Sequence, residues 1–210
     1  MPANPLSPNY LKGALVAYYP ESQFTRVITF QLNPESLRRD ILPLEKKGSV
    51  FKTAGVREQI SCDLSVDAML GDGYFDQNGE VNPHGVAGFL SALELLLHPA
   101  EVSNAISASP SGVSFFGVFD LIIRLLGFWR RKSLPLVSLV LGADRIIPVK
   151  IRSIRIIEQA FDTGLNPVRA SIHIVMETLS KRESKHHQHT EGIYNNYIQR
   201  KVITANSLIE

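Results

Sequence analysis

The sequence is poor in the residues and patterns that most often announce a chemistry. Its 210 residues hold one cysteine, Cys62, and one tryptophan, Trp129. A lone cysteine excludes an intrachain disulfide, so the fold rests on its core, which a chain of this length can bury unaided. Charge is nearly balanced: 22 Lys and Arg against 20 Asp and Glu leave a net +2. That falls short of the basic excess of a dedicated nucleic-acid binder, and no nucleic-acid partner is expected. Met1 to Pro8 lacks the positive region and apolar stretch of a signal peptide. No nucleophile motif, phosphate-binding glycine loop or carboxylate pair appears, so neither catalytic residues nor a cofactor is expected and the chain does not read as an enzyme.

Features that hint at metal chemistry fail on spacing. His186, His187 and His189 lie in a polar stretch where no carboxylate or cysteine completes a ligand set, and read as a solvated linker. Asp72, Asp76, Asn78 and Glu80 suggest a calcium loop. Placing Gly79 at the sixth position, however, puts Tyr74 at the first and Gly85 at the twelfth. No metal is expected. His84, His98 and His173 are isolated and read as structural, and Cys62 as a small buried hydrophobe.

What is present reads mainly as strand. Hydrophobic residues at 44% and charged residues at 20% exclude disorder of the whole chain. After an extended arm over 1–10, Lys12–Tyr19 reads as a strand. Val27–Leu32 alternates, with Ile28, Phe30 and Leu32 on one face, and ends at the turn Asn33-Pro34-Glu35-Ser36. Arg38–Lys52 is charged, lacks clean periodicity and reads as a mobile loop or a hairpin. Ile60–Asp67 is the cleanest strand, with Ile60, Cys62, Leu64 and Val66 inward. Asn82-Pro83 predicts the start of a helix whose apolar stripe is Val86, Phe89, Leu90, Leu93, Leu96 and Leu97, ending before Pro99.

Leu136–Leu141 and Arg145–Lys150 read as a hairpin. Val149 and Ile151 keep one phase while Ile154 and Ile156 take the other, which predicts a bulge. Phe161–Pro167 is a turn, and Val168–Leu179 is a long strand with Ala170, Ile172, Ile174 and Met176 inward. Ser180–Thr190 is polar, and Ile193–Leu208 predicts a short final helix. The fold class is therefore mainly β with one or more helices, an antiparallel barrel or sandwich. A domain over 11–180, with an insert at 100–134, precedes a linker and helical tail at 181–210. Within the insert, Val113–Trp129 is strongly apolar. It is shorter than the roughly 20 residues of a membrane-spanning helix and contains Asp120 and Arg124. It reads as a surface buried against neighbouring subunits. An interfacial membrane helix, with Trp129 and Arg130–Lys132 behind it, is the alternative.

Several segments together resemble a known family. Lys12-Gly13-Ala14-Leu15-Val16 and Ile28-Thr29-Phe30-Gln31-Leu32-Asn33-Pro34-Glu35-Ser36-Leu37 resemble the N-terminal signature of the tube-type proteins of contractile, phage-tail-like injection systems. Glu58–Asp67, His84–Pro99, Pro135–Ile157 and Glu158–Ala170 resemble that family's later strands, central helix, hairpin and closing turn, in order from Leu11 to about Leu179. The resemblance implies a tube-protein fold and a homo-oligomeric ring of six copies. It points to the tube-initiator or baseplate hub-adaptor branch, between an inner tube protein and a spike or hub protein. Many members of that branch carry a C-terminal LysM domain, for which there is no evident counterpart here. Assembly in a bacterial cytoplasm and a mature particle outside the cell or docked on a membrane are implied with it. A tube terminator or cap, or a membrane-docking adaptor using 113–132, are the alternatives. The candidate interface residues are Phe30, Asn33, Pro34, Arg38, Arg39, Lys46, Lys47, Phe51, Phe119, Phe128, Trp129 and Phe161. The Arg38–Lys52 segment resembles the family's stacking loop.

Overall fold

Seven antiparallel strands form one sheet in a computed structural model of the chain, in the order β2-β1-β5-β6-β7-β4-β3. The structure describes residues 11–20, 23–46, 49–70, 85–98 and 134–208, with 45, 46 and 49–54 described by backbone alone. The strands are β1 (Ala14–Tyr19), β2 (Phe24–Thr29), β3 (Leu37–Lys46), β4 (Ser49–Asp67), β5 (Leu136–Val140), β6 (Ile146–Phe161) and β7 (Pro167–Thr178). Helix α1 (Ala87–Glu94) runs into a 3-10 turn at Leu95–Leu97, and α2 (Lys181–Ser184) and α3 (Gln188–Asn206) follow β7.

One face of the sheet is apolar because the two-residue alternation holds strand after strand. Ala170, Ile172, Ile174 and Met176 of β7 are buried, as are Ile60, Cys62, Leu64 and Val66 of β4 beside them. Ile28 of β2 and Ile60 of β4 lie in the same core cluster although four strands separate them. The sheet therefore curls round its own core. Val86, Leu90, Leu93 and Leu96 add the α1 stripe to that core.

Among the described residues no backbone ladder joins the edge strands, so the expected barrel is not closed by strand pairing. A side chain bridges the seam near one end of the sheet. Gln31, just past β2, accepts a bond from the Asp67 N–H (2.7 Å) and returns one to the Asp67 carbonyl (2.8 Å). The primary amide thus reproduces the donor and acceptor of a peptide group at the end of β4.

The predicted bulge is present as a register shift between Ile151 and Ser153, where β6 passes from one phase to the other. Of the two readings of Arg38–Lys52, loop or hairpin, the structure takes the hairpin, a ribbon of β3 and the start of β4, while helix α1 and Ser180–Thr190 differ from expectation. The ribbon's first β4 residues run on beyond the pairing with β7, which begins at Gln59, and the neighbours Ile41 and Leu42, on opposite faces, are both exposed, so alternation is lost. Helix α1 begins at Ala87, after Val86, rather than near Pro83. Gly85 takes a φ of +53°, and a side-chain carbon there would clash with the Pro167 carbonyl oxygen. Leu97 is exposed because the tighter 3-10 turn rotates it off the helical stripe. Finally, Ser180–Thr190 is no solvated linker: it contains α2, and Ser184 and Thr190 are buried.

Candidate interaction site

The C-terminal helices close one end of the curled sheet. A capping box starts α2: the Glu183 N–H donates to Ser180 Oγ (3.3 Å) and the Ser180 N–H to Glu183 Oε2 (2.9 Å). Lys150 of β6 holds Glu183 from the sheet side. Burial alone would raise the Glu183 pKa, but the Lys150 and Ser180 bonds outweigh it and lower the value to about 2. Thr190 Oγ1 donates to the Ser184 carbonyl (2.8 Å), fixing the angle at which α3 leaves α2.

Helix α3 is anchored by a carboxylate inside the fold. Glu58 shares the inward phase of Ile60 and Cys62 and is only 4% exposed. It accepts from Arg39 Nε (2.7 Å), from the Tyr197 hydroxyl (2.9 and 3.0 Å) and from Lys201 Nζ (2.8 Å). Burial opposes its charge, yet the bonds from Lys201, Arg39 and Tyr197 prevail and hold its pKa below the usual carboxylate value. Burial, and then the bond to the Glu58 carboxylate and its charge, push the Tyr197 phenol up against the opposing charge of Arg39. The ribbon, α2 and α3 enclose a groove of about 900 Å³. Ile41, Val56 and Ile198 form its apolar walls, Thr178 lies in its lining, and Lys181, Arg182 and Lys185 form one lip.

Exposed apolar side chains gather at both ends of the sheet. Ile41, Leu42 and Val56 stand on the ribbon beside the groove. Met69, Phe161 and Leu165, the last 80% exposed, stand at the opposite end, where the β6–β7 turn meets the exit of β4. The outer face between β4 and β7 is polar, and His173 there pairs with Asp63 at 2.7 Å.

No family model matches the chain, and no curated protein matches it.

The candidate interface residues separate on this fold. Phe30 is 1% exposed and packs over Gly13, so it belongs to the core and not to a surface. Asn33 accepts from the Gly13 N–H (2.6 Å) and donates to the Leu11 carbonyl (2.8 Å), holding the start of β1. Pro34 is half-buried beside it. Arg38 is exposed and paired with Asp40, whereas Arg39 turns inward to Glu58. Phe161 is exposed at the tip of β6. Lys46 and Phe51 lie in the ribbon by backbone. Lys47, Phe119, Phe128 and Trp129 fall outside the described residues, as do the 113–132 segment, Asn82-Pro83 and the Asp72–Glu80 stretch. His186, His187 and His189 are exposed, with the His189 ring 5.0 Å from that of Tyr18. Among the described residues no three His, Cys, Asp or Glu converge on a metal position, and no helix is long and apolar enough to cross a membrane.

Glu58, Tyr197 and Lys201 escaped the sequence reading, although Glu58 carried a signal. A charged residue in phase with a run of buried apolar ones implies an internal partner. Its partners lie up to 143 positions away along the chain, where no local pattern reaches.

Proposed function

We propose that the chain is a structural, ring-forming component of a contractile injection system, joining the inner tube to the baseplate hub or spike. The observation that carries this reading is the pair of apolar ends on one curled sheet. Ile41, Leu42 and Val56 face one way along the strands, and Phe161 and Leu165 the other. Apolar side chains gathered at the surface mark contact with other proteins, and a component stacked between two neighbours needs such a surface at each end. The ordered resemblance from Leu11 to Leu179 and the ribbon at the position of the family's stacking loop support it.

Single-particle imaging of assembled particles tests the reading. A six-fold ring of this chain beside the spike is the expected result. A ring at the far end of the tube would make it a terminator. Absence of the chain from any ring would overturn the reading. If the chain then floats with liposomes, and Phe119→Asp with Phe128→Asp abolishes flotation, the membrane adaptor replaces it.

A further inference from the structure

We propose that the groove between the β3–β4 ribbon and helices α2 and α3 receives the acidic segment 71–84 of a second copy, so that copies meet head to tail. The inference deepens the ring reading, on which it rests for the premise that copies associate.

The groove is built for a segment that is both apolar and acidic. Its walls are Ile41, Val56 and Ile198. Thr178 Oγ1, in the lining, is buried and has no hydrogen-bond partner among the described residues. Lys181, Arg182 and Lys185 on the lip are exposed and form no ion pair among those residues. An occupant bringing carboxylates to the lip and apolar side chains to the walls satisfies all three features.

The chain's own composition selects that occupant. Of the three longer stretches outside the described residues, 1–10 carries no charged side chain. The 99–133 stretch sets Arg124, Arg130, Arg131 and Lys132 against Glu101 and Asp120, a sign the lip repels. Segment 71–84 carries Asp72, Asp76 and Glu80, with Tyr74 and Phe75 between them and no lysine or arginine.

Reach requires that it come from another copy. Both attachment points of the segment lie at the far end of β4: the Ala68 N–H donates to the Val168 carbonyl and the Val86 N–H to the neighbouring Pro167 carbonyl. The groove lies at the Val56 end. From Asp67 back to Val56 the strand covers about 36 Å, at ~3.3 Å per residue. A loop of this length that must return to its starting point extends only about 25 Å, even fully stretched. A second copy displaced along the strand direction brings its acidic end to the basic groove, which is a heterologous contact.

The test uses the full chain carrying Asp72→Asn, Asp76→Asn and Glu80→Gln, so that its own segment competes for neither form of the lip, and a labelled synthetic peptide of residues 71–84. Fluorescence anisotropy should show binding that weakens with salt. Adding Lys181→Glu, Arg182→Glu and Lys185→Glu to the protein should lower affinity at least about tenfold. A peptide with lysine at the three acidic positions should recover binding to that variant. The reversed residues are exposed, and an unchanged melting curve checks that the fold persists. Absence of binding, affinity indifferent to the lip charges, or preference for a 99–133 peptide overturns the inference. Electron microscopy of the unaltered chain reads the ring independently. Rings without peptide binding remove the groove contact, whereas peptide binding without rings removes the ring reading and leaves an end-to-end site.

Discussion

The thiol of Cys62 lies on the inner face of β4 between Ile60 and Leu64, where burial and then the Asp63 charge push its pKa up to about 11. At neutral pH it is protonated and enclosed. A thiol-reactive dye should leave the native chain unlabelled and label it stoichiometrically in denaturant, which a simple absorbance assay would show. Glu58 is the opposite case, a charge kept ionised indoors by its partners. Replacing it as Glu58→Gln leaves Arg39 and Lys201 facing an amide. Because both retain solvent, the expected loss is about 2 kcal/mol rather than the larger cost of a fully buried orphan charge. Urea unfolding at neutral pH measures it. The pH dependence has a definite sign. Glu58 and Glu183 both have folded pKa values below the ordinary 4.5, with Glu183 at about 2. The unfolded chain therefore binds more protons than the folded one as acid is added, and their stabilisation, complete above about pH 4.5, drains away as the pH falls through the folded values. The double variant Glu58→Gln, Glu183→Gln should unfold with a flatter dependence between pH 5 and pH 3, as urea titrations at the two values would record.

Elements differ in how plainly their sequences announce them, and the difference follows from what lies on each side. β7 and the second half of β4 have a core on one face and solvent on the other, so alternation survives and their inward residues can be read directly. The bulge in β6 is legible for the same reason, since a phase change is visible wherever phase exists. The ribbon leaves the neighbours Ile41 and Leu42, which point to opposite faces, both more than half exposed, and thus has no phase to read. Helix α2 was hidden differently. Ser180 and Glu183 form a capping-box spacing, but no apolar run follows within the helix to draw attention to it. That box should matter to α3 as well, because Thr190 hangs α3 from the Ser184 carbonyl. Ser180→Ala is expected to cost about 1 kcal/mol. Hydrogen exchange should show faster opening of α3 amides while those of β4 and β7 keep their protection. The Glu58 cluster was the least legible part, since it unites residues of β3, β4 and α3 that share no local pattern.

At the scale of the molecule, the two apolar ends face opposite ways along one sheet, and association through them is either heterologous or like-to-like. Two variants separate the cases. Phe161→Asp with Leu165→Asp spoils one end, and Ile41→Asp with Val56→Asp spoils the other. All four positions are more than half exposed, so each variant should keep its fold, with stability changed by no more than about 0.5 kcal/mol per site. If one end of a copy meets the opposite end of the next, neither variant extends alone, because every junction then contains one damaged surface. Mixing them restores a single kind of junction, between the intact ribbon end of the first and the intact Phe161 end of the second. Sedimentation of the mixture should therefore reveal a one-to-one species absent from both separate samples, and no longer stack, since both outer ends of that species are spoiled. Like-to-like contact gives a different result: each variant would still pair with itself through its undamaged end, and mixing would add nothing. The heterologous outcome is the one a stack of single direction requires, because it keeps every copy pointing the same way, whereas like-to-like contacts at the two ends reverse each successive copy.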